Sequence, residues 1–188
     1  MKHGLVIPAL MALLITAGTW ASVMEGDTEL DLMIGYSDIS SNAANSDRED
    51  ISLSLGVAQF VTDVTQLGLF INGDWSDQGS NITADTYGVG ISVKRHFMTS
   101  EFMVPYVGLQ LEYAKMKQTI NIGTTHRSLD ANGMVWGPLA GLRYEMDSLN
   151  DLFIELQYNM YEGDFGNLNS FAFDNETRLK AGIIHQFR

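Results

Sequence analysis

Hydrophobic and polar residues alternate one by one along most of the chain from Thr28 onward. Between residues 51 and 61, for example, Ile51, Leu53 and Leu55 alternate with serine and glycine. Successive side chains of a β-strand point to opposite faces, so this period predicts strands that each have one apolar face. Eight such segments occur, at residues 29–37, 51–61, 66–75, 86–97, 103–113, 132–145, 152–161 and 175–187.

The connections between these segments alternate in length. Three are short, at residues 62–65, 98–101 and 146–151. Four are long and rich in Asn, Asp, Ser and Gly, at residues 37–50, 76–85, 114–131 and 162–174. Strands of about ten residues with short periplasmic turns and long outer loops are typical of transmembrane barrels. We therefore predict an all-β fold, an eight-stranded antiparallel up-and-down transmembrane β-barrel with both chain ends on the periplasmic side.

The apolar face of the strands is predicted to point outward into lipid. The other face carries many glycines together with charges of both signs, which suits a narrow, filled lumen. Beside the short turns, the apolar face is edged by Phe97, Phe102, Tyr144 and Phe153, as in an interfacial aromatic girdle. The alternative is a soluble lipocalin-like barrel or a β-sandwich in the periplasm. Pro138 lies inside the sixth segment and cannot donate an N–H, so we predict a β-bulge there.

The first 21 residues have the layout of a secretory signal. Lys2 and His3 precede an apolar run at residues 5–17, and Thr19 and Ala21 place small residues before a cleavage site. A run of about 13 residues is too short to span a bilayer comfortably, which disfavours an uncleaved anchor. We expect a cleavable signal peptide at 1–21, a barrel domain at 22–188, and export.

Composition narrows the possible functions. The 188 residues carry a formal net charge of −12, so a general basic field for nucleic acid is absent. The chain has no cysteine, which excludes disulfides, thiolate zinc sites and a lipoprotein anchor. Stability must therefore come from packing and from the backbone hydrogen bonds of the sheet.

Ten charged residues are predicted to face the lumen, six of them carboxylates and four of them cations. They could form an ion or proton path, or a gated small pore. The alternative, which we favour, is a structural network of paired charges, because the interior of an eight-stranded barrel is just wide enough for side chains to fill. The ten residues are Asp31, Asp74, Lys94, Glu112, Arg143, Glu145, Glu155, Glu176, Arg178 and Lys180.

Three stretches, at residues 105–113, 137–144 and 181–187, resemble the small outer-membrane β-barrel family. That family includes the OmpA transmembrane domain, OmpX-like proteins and the opacity-type antigens, and the resemblance covers essentially all of 22–188. It implies a place in the bacterial outer membrane, contact with outer-membrane lipids and lipopolysaccharide, and loops able to hold an extracellular ligand. Family members usually end in an aromatic residue, whereas here Phe187 is followed by Arg188.

Two candidate sites lie in the predicted loops. His126-Arg127-Ser128 resembles part of the site of lipid A 3-O-deacylases, in which a His and a Ser two residues later act with a Glu. Leu129 replaces the expected Asn, and no acid occupies the fitting position, so we favour an exposed loop histidine. The acidic segment 73–79 lacks the ligand spacing of a calcium loop.

Three functional hypotheses follow. The leading one is a non-enzymatic outer-membrane barrel with a structural or surface-interaction role through its four long loops. The second is a small porin-like channel for small solutes. The third, motivated only by His126 and Ser128, is a lipid A-modifying hydrolase. We expect no catalytic residues, no cofactor and no bound metal.

Overall fold

The computed structural model describes residues 25–40, 47–78, 82–97, 102–122, 125–164 and 175–187. The predicted signal peptide at 1–21 lies outside the described residues, as do Arg188, all of the predicted connection 98–101 and most of the predicted connection 162–174.

Eight antiparallel strands form a closed barrel in which each strand pairs with its neighbours in sequence and β1 pairs with β8. The fold predicted from the alternation is therefore confirmed. The strands are β1 Thr28–Ser40, β2 Asp47–Thr62, β3 Thr65–Gln78, β4 Ile82–His96, β5 Met103–Ile122, β6 Thr125–Glu145, β7 Asn150–Gly163 and β8 Asn175–Phe187.

The two ends of the barrel differ. At the turn end, Thr28 lies opposite Phe187, and short connections join β2 to β3, β4 to β5 and β6 to β7. The other end, the loop end, carries the remaining four connections. In the turn between β6 and β7, the side chain of Asp147 accepts hydrogen bonds from the backbone N–H groups of Leu149 and Asn150, both at 2.9 Å.

Three of the four connections predicted to be long are shorter than expected, because the strands leave only residues 41–46, 79–81 and 123–124 between them. The prediction fails most clearly at 114–131, most of which is strand. β5 continues to Ile122 and β6 begins at Thr125, so these strands have 20 and 21 residues whereas the others have 13 to 16. Along this extension the apolar Ala114 and Met116 are buried, while Lys115 and Lys117 are exposed. The period of two persists, but the apolar face now points inward, which obscured the strand in the sequence.

The predicted bulge at Pro138 is also wrong. Pro138 pairs with Leu109 of β5, and the β6–β7 register is the same on both sides of it, with Trp136 opposite Met160 and Leu139 opposite Gln157. The described ladder shifts register instead between β2 and β3, at Phe60 and Thr62.

The outer face of the barrel exposes large hydrophobic side chains from all eight strands, whereas the inward positions are largely polar or small. Phe97, Phe102 and Tyr144 are exposed near the turn end, as predicted for the girdle. Phe153 is an exception to the prediction, because it is buried inside the barrel with Met33 and Ile184. No helix among the described residues is long and apolar enough to cross a membrane.

Candidate functional site

The lumen holds three groups of polar side chains at successive heights. They are named here, from one end to the other, the turn-end, central and loop-end clusters. Each cluster joins side chains from strands on different sides of the barrel, because inward positions on all eight strands converge on the same narrow space.

The turn-end cluster is built around Arg143 of β6. Its guanidinium lies 2.6 Å from Glu29 Oε1 of β1 and also forms an ion pair with Asp151 of β7. Gln66 donates a hydrogen bond to Glu29, and Gln186 donates one to Asp151 at 3.0 Å. Arg143, Glu29 and Asp151 are all at most 2% exposed. The pairing bridges three strands across this end of the lumen.

His96 lies beside this cluster in an aromatic setting. Its ring centroid is 5.0 Å from that of Phe60 and 5.2 Å from that of Tyr106. Neither ring nitrogen has a hydrogen-bond partner among the described residues, although the side chain is buried. The His96 ring packs between the turn-end and central clusters.

The central cluster is built around Glu155 of β7. The ammonium of Lys94 lies 2.9 Å from Glu155 Oε2, and the hydroxyl of Tyr106 donates to the same oxygen at 2.9 Å. Gln157 donates to the other carboxylate oxygen at 2.7 Å. The Lys94 ammonium also lies 5.0 Å from the centre of the Tyr106 ring. The buried carboxylate of Asp31 is close enough to attract Lys94 electrostatically. Buried charges need this degree of pairing to offset their desolvation.

The loop-end cluster is built around Arg178 of β8. Its guanidinium pairs with Asp74 of β3 and with Glu176, whose Oε1 is 2.8 Å from the Arg178 Nε. Tyr161 donates a hydrogen bond to Glu176, and Asn72 donates one to Asp74 at 2.7 Å.

Two further charges complete this level of the lumen. Lys180 donates to Ser54 Oγ at 3.1 Å. Glu112 occupies space left by Gly88, where a Cβ atom would lie 1.8 Å from a Glu112 carboxylate oxygen. Glu112 therefore depends on a glycine at this position of β4.

Apolar side chains cover the loop-end cluster. Ala84, Ala114, Met116, Ala131 and Val135 form a buried group at the loop end of the barrel. Between this group and Arg178 lies a cavity of about 10 Å³. That volume is about enough for a single water molecule.

Nine of the ten charged residues predicted to face the lumen are buried within it. Glu145 differs, because it ends β6 at the turn end, where its side chain is half-buried and its backbone N–H donates to the Phe102 carbonyl at 3.0 Å. The sequence reasoning missed Glu29 and Asp151, the two partners of Arg143. Glu29 is the first residue of its predicted segment and Asp151 immediately precedes its own, so following the inward positions through both strand ends would have found them. No group of three or more potential metal-ligating side chains occurs among the described residues.

The chain matches a known protein family. The family model for the outer membrane protein beta-barrel domain matches residues 7–183. The chain belongs to this family. The barrel is accordingly a protein of the bacterial outer membrane, and its exposed apolar face is the face that contacts lipid.

Solved structures agree on the fold. Neisserial surface protein A is 16% identical, with a TM-score of 0.66 over 87% of this chain and 100% of that chain. Ail, the attachment invasion locus protein of Yersinia pestis, is 12% identical, with a TM-score of 0.58 and the same coverage. OprG from Pseudomonas aeruginosa is 12% identical, with a TM-score of 0.50 over 88% of this chain and 98% of that chain. Comparison with curated proteins gives no match.

His126 and Ser128 lie on β6 within the extended hairpin, not in a loop. Both are exposed, and the Nδ1 atom of His126 is 2.6 Å from Asn121 Oδ1 on β5. Glu145 lies at the opposite end of the same strand, roughly 60 Å away at the usual rise per residue. The structure therefore does not bring Glu145 to these two residues.

Proposed function

We propose that this protein is a non-enzymatic and non-conducting outer-membrane barrel that supports envelope integrity or surface interactions through its loop end. The observation that carries the proposal is the bridging of the lumen by buried ion pairs, above all Arg143 between Glu29 and Asp151. A continuous water path would have to break such pairs at several heights. Each break leaves uncompensated buried charge, at a cost of about 3–5 kcal/mol.

A solute-uptake assay tests the non-conducting part of the proposal. Proteoliposomes containing the folded barrel are placed in an isotonic sugar or amino-acid solution, and their swelling is followed by light scattering. We expect the rate to equal that of protein-free liposomes. Swelling that rises with the amount of folded barrel would overturn the proposal.

The small porin-like channel is the second candidate. It is favoured by the polar clusters that recur at successive heights of the lumen, from Gln66 at the turn end to Arg178 near the loop end. Swelling that depends on solute size would select it. The hydrolase hypothesis has no comparable support, since Glu145 lies far from His126 and Ser128.

The envelope and surface roles can be separated in cells. Deletion of the gene is expected to increase leakage of a periplasmic enzyme if the role is structural. A chain whose segment 165–172 is replaced by glycine and serine should then restore retention of the enzyme in the periplasm, because this chain keeps all eight strands. If retention is normal in the deletion strain, the structural role is excluded and the loop end becomes the place to seek a ligand.

A further inference from the structure

A broad apolar groove runs across the membrane-facing side of β2 to β6. Its volume is about 720 Å³, and Leu69, Ile91, Leu111 and Trp136 line it in adjacent strands. These four residues lie in one row of paired positions, Leu69 opposite Ile91, Ile91 opposite Leu111, and Leu111 opposite Trp136. A concave apolar surface of this volume on the membrane-facing side is suited to an ordered acyl chain.

The charges on the outer surface are distributed unevenly. Among the residues whose side-chain exposure the structure describes, the exposed lysines and arginines are Arg95, Lys115, Lys117 and Arg127, while Lys94, Arg143, Arg178 and Lys180 are buried in the lumen. Lys115 and Lys117 lie on β5 above the groove and have the outward orientation of Leu111 and Tyr113. Arg127 has the inward orientation on β6, and Arg95 lies near the turn end of β4.

Of the two outward-facing lysines, Lys115 is better placed than Lys117 to bind an anion. In its row it lies between Tyr87 of β4 and Asn132 of β6, neither of which is acidic. The Tyr113 hydroxyl donates to Asn132 Oδ1 at 3.3 Å, which leaves the Asn132 amide N–H groups free to donate elsewhere. A phosphate at this point would meet the Lys115 ammonium and the Asn132 amide N–H groups together.

The surroundings of Lys117 are different. Asp85 lies opposite it on β4 and Asp130 opposite it on β6, and both carboxylates are exposed. Their charges offset that of Lys117, so its contribution to anion binding is secondary to that of Lys115.

The spacing of groove and cation fits one leaflet of the membrane. Leu109, at the lower side of the groove, and Lys115 are separated by six residues of β5, or roughly 20 Å along the strand. A strand tilt of about 40° reduces this to roughly 15 Å along the membrane normal. Half of a hydrocarbon core of about 30 Å has the same depth. A lipid whose phosphate contacts Lys115 can therefore extend its acyl chains into the groove.

We propose that the outer face of β4, β5 and β6 binds a phosphorylated glycolipid of the outer leaflet, lipopolysaccharide, with a lipid A phosphate at Lys115 and acyl chains in the groove. With both chain ends on the periplasmic side, as the sequence predicts, the loop end faces the leaflet in which this lipid resides. Electrostatic attraction between a basic residue near the membrane surface and an anionic lipid adds to the apolar contact. The site depends on the outer-membrane location and not on whether the lumen conducts.

The test uses Trp136 as a reporter inside the groove. The chain has three tryptophans, so Trp20→Phe and Trp75→Phe leave Trp136 as the only one. The barrel is purified from outer membranes and reconstituted in phosphatidylcholine vesicles containing equal fractions of either brominated phosphatidic acid or brominated phosphatidylcholine. Bromine on the acyl chains quenches tryptophan on contact, and phosphatidic acid supplies the phosphomonoester.

Phosphatidic acid is expected to quench Trp136 at least twofold more than phosphatidylcholine. Lys115→Glu should abolish that preference, and Lys115→Arg should keep it. Arg95→Glu is the matched control, because it reverses an exposed cation near the turn end and should change nothing. Heat-shifted mobility on a gel verifies that each variant is folded.

Competition identifies the lipid. Unbrominated lipid A carrying its phosphates should relieve the quenching, and dephosphorylated lipid A should not. Equal quenching by the two brominated lipids, or equal effects of the Lys115 and Arg95 reversals, would overturn the site. Preference for phosphatidic acid without relief by lipid A would overturn the assignment to lipopolysaccharide in favour of an ordinary anionic phospholipid.

Discussion

Arg143 is the residue whose loss should cost most. It is 2% exposed and pairs with both Glu29 and Asp151, so its removal leaves two carboxylates buried without a cation. Arg143→Ala is expected to lower the free energy of unfolding by about 3–5 kcal/mol. Urea titration in lipid vesicles measures the change.

Arg95→Ala is the matched control, because it removes an exposed arginine from the outer surface and should cost at most about 0.5 kcal/mol. Replacing Arg143, Glu29 and Asp151 together by apolar residues of similar volume should recover much of the loss, since no charge is then left unpaired. If Arg143→Ala and Arg95→Ala proved equally stable, the ion pairs would not hold the turn end together.

Asp147 makes the turn between β6 and β7 sensitive to acid. The backbone N–H of Leu149, and then the side-chain amide of Asn150, hold the pKa of Asp147 below its ordinary value. A depressed pKa means that the ionised carboxylate stabilises the folded state above about pH 4, and that this contribution is lost as the pH falls through the folded-state pKa. Asp147→Ala should therefore be less stable than the parent at pH 7, and the difference should shrink in acid.

Unfolding midpoints of the parent and Asp147→Ala at pH 7 and below pH 4 measure this dependence. Ser148→Ala alters the same exposed turn without removing the carboxylate, so its effect should not vary with pH. A difference between Asp147→Ala and the parent that stays constant, or grows, in acid would contradict the role of the ionised carboxylate.

At the scale of the elements, β6 and β7 lie close together beside Pro138. A Cβ atom on Gly137 would lie 1.7 Å from the Tyr158 carbonyl oxygen of β7. Gly137→Ala should therefore force the two strands apart and cost about 1–3 kcal/mol. Gly73→Ala is the control, because the atoms near its Cβ belong to the movable Trp75 side chain, at 3.2 Å and beyond. Equal urea midpoints for the two variants would show that β7 relaxes freely.

The alternation of residues predicts the eight strands because lipid on one side and a filled lumen on the other impose a strict period of two. The prediction fails where a strand no longer lies between lipid on one side and a filled lumen on the other. Beyond Tyr113 the apolar side chains of Ala114 and Met116 turn inward and the lysines outward, so the extension of β5 resembles a loop in the sequence. The prediction for Phe153 is wrong for a related reason, because an aromatic residue near a turn fits either the interfacial girdle or the lumen.

The membership of the lumen follows from the same alternation, but the pairing within it does not. Asp74 and Arg178 are 104 residues apart and meet only because β3 and β8 face each other across the closed barrel. Which carboxylate meets which cation depends on the register and stagger of all eight strands. Pro138 illustrates the same limit, because the sequence shows that a hydrogen-bond donor is missing and does not show that the ladder keeps its register.

At the scale of the whole molecule, the three clusters lie in series along the lumen. Opening any one of them leaves the other two in place, so neutralising the loop-end cluster with Asp74→Asn, Glu176→Gln and Arg178→Gln should not create a channel. The central pair of Lys94 and Glu155 and the turn-end pairs of Arg143 would still span the lumen. The loss of one cluster should appear as reduced stability and not as permeability.

Single-channel recording in a planar bilayer tests the central claim most directly. The folded barrel, verified by its heat-shifted gel mobility, is inserted at a known density, and current is recorded across a range of voltages in concentrated salt. The ion-paired lumen predicts a flat baseline for the parent and for the loop-end triple variant. Discrete, reproducible current steps from the folded parent would contradict it, because they require a continuous water path past Arg178, Glu155 and Arg143.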